Sequence, residues 1–366
     1  YVPQSWPRLS ASQWAGLAGQ PYADVALALL RPLVGRAIAA RDLERMIGET
    51  YGGFGHAAVA PLRQIGPNDW LLELFHGPTL AFKDYALQLV GRLFDHVLAK
   101  RRRRVTIVGA TSGDTGSAAI EACRDRAAID IFILHPKGRV SEVQRRQMTT
   151  VSSANVHNIA VEGTFDDCQD LVKAMFADLK FRDQLALSAV NSINWARIAA
   201  QVVYYAAAAL ALGAPTRKVA FTVPTGNFGN VYAGNAARLM GLPIARMVVA
   251  SNRNDILYRM LKSDDMSVAP VEPSLSPSMD IQVSSNFERL LFDLVGRNGK
   301  ATAALLTEFR TTGRLRLGKA RWQKLRATFE GARADDDETI AAIKDAHGAI
   351  GELVDPHTAV GLAAAD

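Results

Sequence analysis

One lysine of this 366-residue chain stands where an amine could do covalent chemistry. Lys83 follows Leu80, Ala81 and Phe82 at the start of a predicted amphipathic helix over 85–99. Lysine is rarely buried, and burial favours the neutral amine, which is the form that attacks an aldehyde. The alternative is a lysine at a helix start whose charged end reaches solvent, and for this segment taken alone that alternative is favoured.

Three polar turns, 109–116, 191–197 and 224–230, each lie between a strand-like or extended run and a predicted helix. Backbone N–H groups and the helix dipole create an anion site at such a turn. The turn at 191–197 contains no glycine, but Asn194 is a candidate N-cap and Arg197 follows three residues later. The G-x-x-x-x-G-K-[ST] and G-x-G-x-x-G patterns of nucleotide sites do not occur. Glycines that only relieve tight turns are the alternative for each one.

The polar side chains of two of these turns favour a bound ligand. Thr111, Ser112 and Thr115 in the first, and Asn227 and Asn230 in the last, supply more hydroxyl and amide groups than turn geometry requires. A reactive lysine together with anion sites fits pyridoxal 5'-phosphate, because its aldehyde binds an amine and its phosphate binds backbone donors.

The elements that position these residues alternate between strand and helix, which predicts parallel sheets with helical crossovers. The region 1–75 instead has helical spacing of apolar residues, and 296–345 is charged and helical, with the acids at 335–338 capping a helix. Asp84 is expected to cap the helix after Lys83. The predicted strands are 105–109, 130–134, 156–161, 219–223 and 244–250, and the predicted helices are 11–18, 22–31, 40–50, 117–125, 140–149, 165–179, 195–212 and 230–240.

Composition narrows the class of protein. Hydrophobic residues make up 49% and charged residues 21% of the chain, as in globular proteins. The longest apolar run, 202–214, is shorter than the roughly 18 residues that span a membrane, so we expect a soluble protein without a membrane partner. Cys123 and Cys168 have no metal-ligand spacing, so no disulfide framework and no metal site are expected.

The charge balance leaves two partner classes open. Forty-two Lys and Arg against 36 Asp and Glu give +6, which suits small anions or nucleic acid. The run Lys100–Arg104 is interpreted as a solvated helix end, because aromatic residues are not interleaved with it. We therefore expect no nucleic-acid partner. The chain starts at Tyr1 and stops inside a helical pattern, so we expect a piece of a longer cytoplasmic protein.

Four motifs between residues 75 and 290 resemble those of threonine synthases of the bacterial and fungal type. They are HGPTLAFKD (76–84), GATSGDTG (109–116), NSINWAR (191–197) and PTGNFGN (224–230), supported by 278–280 and 284–290. The resemblance implies a fold of the tryptophan-synthase-β-like class, fold type II: two parallel-sheet α/β domains with a helical N-terminal region. It implies a helical region 1–75, a large cofactor-binding domain of 76–104 and 195–366, and a smaller α/β domain 105–194.

The resemblance also assigns roles to residues of this chain. Lys83 would form the internal aldimine with pyridoxal 5'-phosphate and shuttle protons, and a hydroxyl residue beyond residue 366 would contact the pyridine nitrogen. Asp114 is expected to turn back as an N-cap, because a carboxylate repels an anionic ligand. The resemblance assigns binding of the cofactor phosphate to Gly226, Asn227, Phe228, Gly229 and Asn230. It assigns binding of the substrate to Thr111, Ser112, Gly113, Asp114, Thr115, Asn194, Arg197, Ser285 and Asn286.

For some of these residues a purely structural role is the alternative. Asn194 and Arg197 are expected to hold the departing phosphate, yet an N-cap and a surface arginine account for them equally well. His76 is expected to be a packed histidine with a satisfied ring.

The implied reaction converts O-phospho-L-homoserine and water to L-threonine and phosphate, by elimination of the γ-phosphate and hydration at Cβ. A serine or threonine dehydratase of the same fold, in which hydration does not follow, is the alternative, and a catalytically inactive binding protein is a further one. We expect a monomer, with a dimer as the alternative.

Overall fold

The computed structural model describes residues 1–365, which form two compact units. One unit is residues 20–203, and the other combines residues 1–19 with the chain from 204 onward. The division falls within a helix at 195–211. The domain boundaries given above follow the family resemblance and stay a prediction.

The helices and strands follow the order that the sequence patterns predict, with some additions. The first half contains α1 (Ala11–Gly16), α2 (Tyr22–Val34), α3 (Ala40–Tyr51), β1 (Leu62–Gln64), β2 (Trp70–Leu72), α4 (Asp84–Arg101), β3 (Val105–Ala110), α5 (Asp114–Cys123), β4 (Ile129–Pro136), α6 (Glu142–Thr149), β5 (Val156–Val161), α7 (Phe165–Ala177), α8 (Leu179–Gln184), β6 (Leu187–Ser188) and α9 (Trp195–Ala211). The second half contains β7 (Val219–Pro224), α10 (Gly229–Leu239), β8 (Ile244–Ser251), α11 (Ile256–Ser263), β9 (Met266–Ser267), a 3₁₀ turn (Pro277–Met279), α12 (Phe287–Leu294), α13 (Gly299–Thr312), β10 (Arg314–Leu315), α14 (Lys319–Arg326), β11 (Phe329–Arg333), α15 (Asp336–Ile350) and α16 (Pro356–Ala363).

The unit of residues 20–203 is built on a parallel sheet with strand order β5-β4-β3-β6. Alternate residues of a strand point to opposite faces. Ile107 and Ile131 therefore pack with α4, α5 and α6, whereas Val108 and Leu134 pack with α7. This arrangement confirms the predicted parallel sheet with helical crossovers, and it places the turn after β3 and the turn after β4 at the same edge.

The second unit is built on a parallel sheet with order β11-β8-β7. Helix α16 packs against β7 and β8, where Val360 joins Ala250 and Met279 in a buried cluster. Strand β11 lies in the region expected to be only helical. Its sequence, FEGAR, has too few β-branched residues to signal a strand, and pairing with β8 decides it.

The ends of two helices agree with the sequence predictions, unlike strand β11. The acids at 335–338 form a capping box, with Asp335 and Glu338 each accepting from the other's backbone N–H at 2.8–2.9 Å, as predicted. The basic run Lys100–Arg104 includes the last two residues of α4 and is exposed, also as predicted. The helical prediction for 1–75 misses the short antiparallel pair β1–β2. In the part of the chain that is described, no helix is both long and apolar enough to cross a bilayer.

Candidate active site

Lys83 is buried, as its apolar neighbours predict. Only 7% of the residue is exposed, and it immediately precedes α4. Its Nζ donates to the Asp114 carboxylate and lies 5.0 Å from the centroid of the Phe82 ring. The alternative of a lysine reaching into solvent is therefore wrong, because the charged end meets an acid instead of water.

The neighbouring Asp84 fastens the turn that carries Lys83. Its fully buried carboxylate accepts from the Thr79 N–H at 2.7 Å, from the Thr79 hydroxyl at 2.9 Å and from Gln88 Nε2 at 3.1 Å. Burial raises the pKa of this carboxyl group, while the hydrogen bonds from Thr79 and Gln88 act to lower it. The prediction that Asp84 caps α4 is wrong: Asp84 is the first helical residue, and its oxygens bind back to the turn.

A cluster of aromatic rings, which no motif indicated, packs beneath this turn. Tyr22 and Tyr51 lie 4.8 Å apart between ring centroids, and so do Phe54 and Tyr85. The Tyr51 hydroxyl donates to the Tyr85 carbonyl at 2.9 Å, and burial raises the pKa of both phenols. Because Tyr85 lies in the first turn of α4, the cluster fixes the helix end beside Lys83.

His76, on the same segment, is a packed histidine as predicted. Its Nε2 lies 2.8 Å from a Glu73 carboxylate oxygen, and the ring contacts those of His56 and Phe75.

The turn after β3 is held by its own side chains. The Thr111 hydroxyl, which is buried, accepts from the backbone N–H groups of Gly113 at 3.0 Å and Gly116 at 2.8 Å. Gly113 has φ 145°, and a Cβ atom there would overlap the Gln144 side chain, so only glycine fits. Ser112 is exposed at the tip of the turn, and Thr111 has a structural duty that the motif did not reveal.

Asp114 begins α5, and the N-cap is Gly113, so the expected N-cap role of Asp114 is wrong. One carboxylate oxygen accepts from the half-buried Thr115 N–H at 2.6 Å, and the other accepts from Lys83 Nζ. The first turn of a helix favours a carboxylate. One oxygen of the acid therefore binds the first turn of α5, and the other faces the amine.

Asn194 and Arg197 lie together at the start of α9. Asn194 Oδ1 accepts from the Ala196 N–H at 2.9 Å, which confirms the N-cap alternative for this residue. Arg197 is only 3% exposed, so the surface-arginine alternative is wrong. A buried guanidinium is costly unless it serves a charge.

In the other unit, the turn 224–230 is held by neutral groups. Phe228 has φ 63° and is buried edge-on against Phe287, with ring centroids 5.4 Å apart. Asn227 Oδ1 accepts from the Gly229 N–H at 2.9 Å. Asn230 Oδ1 accepts from the hydroxyls of Tyr204 at 2.5 Å and Tyr205 at 2.8 Å.

A second segment of that unit supports the turn. Ser284 Oγ donates to the Gly226 carbonyl at 2.8 Å, and the Asn286 N–H donates to the Asn227 carbonyl at 3.0 Å. Asn286 is buried and precedes α12, while Ser285 is half-buried.

Asp280 anchors this segment, a role that the sequence of residues 278–280 does not indicate. Its carboxylate accepts from Asn252 at 2.8 Å, from Asn254 at 3.0 Å and from the Ser274 hydroxyl at 2.6 Å.

The residues present fit pyridoxal 5'-phosphate in each unit taken separately. Residues 20–203 contain a buried primary amine of the kind its aldehyde requires. The second unit contains a helix start after a β-strand, where Phe228 in the left-handed conformation turns the chain and the first N–H groups of α10 have no acceptor within the helix.

Comparison with known proteins gives family matches along the chain. A family model described as "Pyridoxal-phosphate dependent enzyme" matches residues 55–311, and one described as "Threonine synthase N terminus" matches residues 1–51. Together these matches include Lys83 and all four motifs of the sequence.

Individual proteins agree with the family models. The threonine synthase of Pseudomonas aeruginosa is 59% identical over 365 residues, which is 100% of this chain and 78% of the relative. A crystal structure of PLP-bound threonine synthase from Brucella melitensis has a TM-score of 0.98 at 54% identity, covering 100% of this chain and 79% of that one. The yeast threonine synthase structure has a TM-score of 0.95 at 40% identity, covering 100% and 77%.

Proposed function

The chain belongs to the threonine synthase family of pyridoxal-phosphate-dependent enzymes, and we propose that Lys83 is the residue that binds the cofactor covalently. The chain is a lyase of fold type II that converts O-phospho-L-homoserine and water to L-threonine and phosphate. When bound, the cofactor supplies an electron sink for the substrate carbons. The chain's own residues bind and orient the reactants and move protons.

The burial of Lys83 is the observation that carries this proposal. An amine with 7% of its residue exposed, set in a turn fixed by Asp84 and by the aromatic cluster, has one position and limited contact with water. Such an amine is oriented for attack on an aldehyde, and once released it can take or give a proton at a substrate carbon.

Borohydride reduction tests the role of Lys83 directly. The purified chain is reduced with its cofactor, digested and mapped by mass spectrometry. We expect the phosphopyridoxyl mass on the peptide that contains Lys83. The exposed Lys100, at the other end of α4, serves as the internal control. A label on any lysine other than Lys83 would overturn the assignment.

We propose that Gly226, Asn227, Phe228, Gly229 and Asn230 bind the cofactor phosphate. The support is the neutral scaffold around them: the amide oxygens of Asn227 and Asn230 and the carbonyl of Gly226 already accept hydrogen bonds from the protein. Since these oxygens are occupied and the Gly229 N–H already donates to Asn227 Oδ1, other backbone N–H groups of the turn would face the phosphate.

The substrate roles are proposals of the same kind. We propose that Asn194 and Arg197 hold the departing phosphate, that the turn Thr111, Ser112, Gly113, Asp114 and Thr115 faces the substrate, and that Ser285 and Asn286 lie at its pocket. The burial of Arg197 supports the first, since a guanidinium binds phosphate in a bidentate manner. Phosphate held in place favours hydration over early release of a keto acid.

The Arg197→Ala variant tests the retention of phosphate. We expect the ratio of threonine to 2-ketobutyrate to fall, measured by chromatography of the products under saturating substrate. Half-buried Arg182 on α8, which pairs with Asp183 at 2.8 Å, provides the control when changed to Ala. An unchanged ratio in Arg197→Ala would refute the retention role, whatever the change in rate. Ammonia release from threonine exceeding phosphate release from phosphohomoserine would instead favour the dehydratase alternative.

We further propose that the chain acts as a cytoplasmic monomer that binds no nucleic acid. Exposure of the basic run Lys100–Arg104 at a helix end supports the last point, because such cations complement the helix dipole. Light scattering after size exclusion tests the monomer, and a salt-dependent mobility shift with DNA would contradict the absence of nucleic-acid binding.

A further inference from the structure

Helix α6 places one of its side chains against the turn that follows β3. A Cβ atom on Gly113 would lie 2.6 Å from Gln144 Cδ, so the Gln144 amide fills the space that a larger residue at 113 would take. The backbone carbonyl of Gln144 also accepts from the Ser117 hydroxyl of α5 at 3.4 Å. Both the side chain and the backbone of Gln144 therefore contact this turn and the helix that follows it.

The start of α6 fixes the position of this amide. Ser141 is the N-cap, and its hydroxyl accepts from the Gln144 N–H at 3.4 Å and donates to Gln144 Oε1 at 3.1 Å. One helical turn further on, Gln147 Nε2 donates to the Thr79 carbonyl at 3.0 Å, which ties α6 to the segment before Lys83. The Gln144 side chain is thus held against the turn by contacts within the chain.

The amide nitrogen of Gln144 is a donor that the fold does not use. Its oxygen is bonded to Ser141, whereas Nε2 forms no hydrogen bond within residues 1–365. A primary amide carries two N–H donors. Because Gln144 is half-buried, these donors are not sealed inside the core. They are available to a ligand bound at the turn.

A second polar group at this edge of the sheet also lacks a partner. His135 is 4% exposed, and its Nδ1 is enclosed without a hydrogen bond in the described part of the chain. It follows Leu134, whose carbonyl accepts from the Thr111 N–H at 3.0 Å, so it lies beside the start of the turn. Buried polar groups in native structures are normally bonded, so polar groups without partners at this edge favour a bound molecule.

The turn itself has already committed several of its donors. The backbone N–H groups of Gly113 and Gly116 donate to the Thr111 hydroxyl oxygen, and that of Thr115 donates to Asp114 Oδ1. An anionic group bound here needs donors to replace its hydration. A neutral amide from a neighbouring helix supplies them.

We propose that Gln144 is a specificity-determining residue whose Nε2 donates a hydrogen bond to the α-carboxylate of the substrate. The proposal rests on the proposed function, in which Asn194 and Arg197 hold the phosphate and the turn at 111–115 faces the substrate. The carboxylate is the anionic group of phosphohomoserine that remains for this turn. A ligand without a carboxylate leaves the amide unpaired, so Gln144 distinguishes an amino acid from the corresponding amine.

Two ligands that each lack one anionic group test this contact. L-2-Aminobutyrate keeps the carboxylate and has no phosphate, whereas 3-aminopropyl phosphate keeps the phosphate and has no carboxylate. Calorimetry with the cofactor-loaded full chain measures both dissociation constants. In Gln144→Glu, which keeps the shape but removes the N–H donors, we expect L-2-aminobutyrate to bind about 10- to 100-fold more weakly. The dissociation constant of 3-aminopropyl phosphate should stay the same.

Further variants separate the contact from a change of structure. Glutamate suits the first turn of a helix, so α6 should form in Gln144→Glu, as circular dichroism would show. Gln144→Met removes the donors without adding a charge, and it should weaken L-2-aminobutyrate binding about tenfold while again sparing 3-aminopropyl phosphate. Gln184→Glu makes the same substitution at an exposed glutamine of α8 and should leave both dissociation constants unchanged.

The outcomes distinguish this proposal from the proposed function. Equal weakening of both ligands, or no weakening of L-2-aminobutyrate, would overturn the role of Gln144. With phosphohomoserine, Gln144→Met should raise KM more than it lowers kcat, and the opposite split would also contradict the proposal. Borohydride labelling of a different lysine would instead refute the role of Lys83. The comparison of the two ligands would still test Gln144, because both carry the same primary amine.

Discussion

The turn that carries Lys83 and the turn at 224–230 perform their tasks with opposite chemistry. Around Lys83 the side chains include an amine, the buried carboxylate of Asp84 and the half-buried carboxylate of Asp114. Around 224–230 they are neutral: glycine backbone, the amides of Asn227 and Asn230, and aromatic rings. One turn is therefore built on amine and carboxylate groups and the other on uncharged groups.

The difference follows from what each task demands. Covalent chemistry needs a group that changes its protonation state, and such a group responds to every nearby charge. Holding an anion needs oriented N–H groups, which neutral side chains can fix without competing charges. Substitutions in the first region should therefore change reactivity and pH dependence, and those in the second should change affinity.

The largest effect should come from Lys83→Ala. Loss of the amine removes both covalent binding and proton transfer, so we expect kcat to fall at least about 10³-fold. Phosphate release from phosphohomoserine measures the rate. Lys100→Ala, at the exposed end of the same helix, is the control and should keep full activity. Comparable activity in both variants would break the contrast between the two regions.

A methyl group at Gly226 tests the neutral region. Its Cβ would lie 2.8 Å from Ile281 Cγ1 and 3.1 Å from Met279 Cα, so the turn must shift. Strain of about 1–3 kcal/mol corresponds to cofactor binding weakened by roughly 5- to 150-fold. Titration followed by absorbance measures the dissociation constant. Gly299→Ala has open space around it and should bind normally. A change in the pH profile instead of the affinity would contradict the proposed division of roles.

The variant Gly91→Ala tests how closely α4 and α5 must pack against each other. Lys83 immediately precedes α4, and Asp114 is the first residue of α5. A Cβ atom at position 91 would overlap the Ala122 carbonyl, so Gly91→Ala should lower the free energy of unfolding by about 1–3 kcal/mol. Gly48→Ala, in α3 with no atom nearby, should instead raise it by about 0.5–1 kcal/mol. Urea unfolding measures both, and a shared sign would show that α4 and α5 do not pack as described.

The smallest effect should be the pH dependence that Asp84 contributes. Burial raises the pKa of its carboxyl above the ordinary value of 3.8, although hydrogen bonds from Thr79 oppose the shift. The folded state therefore binds this proton more tightly than the unfolded state, and the resulting stability is full below pH 3.8 and is lost as the pH rises through the folded value.

Asp84→Asn removes this titration and keeps an acceptor oxygen for Thr79. Relative to the variant, the unmodified chain should become less stable as the pH rises from about 4 to 7, as urea unfolding at several pH values would show. Asp337→Asn, an exposed acid on α15, is the control. Parallel stability curves would indicate that Asp84 is not a source of pH dependence.

Local patterns predicted most of the framework. Strand β5 was predicted with its observed bounds, and the N-cap of α9 and the capping box of α15 follow from side chains that bond to nearby backbone. Strand β11 was missed because its residues have weak strand propensity and pairing with β8 decides it. The predicted helix 165–179 ends at Ala177, where Asp178 caps the next helix.

The sequence by itself determined the alternation of strands and helices, the capped helix ends and the lysine with apolar neighbours, because these depend on residues close together in the chain. Only the tertiary structure decided that Asp114 faces Lys83, that Arg197 is buried and that Asp280 anchors the segment behind Gly226. Lys83 and Asp114 are separated by 31 residues in the chain, and Asp280 and Gly226 belong to different segments. Their positions depend on how helices pack on a sheet. No local pattern carries that information, since the same residues could equally have faced solvent.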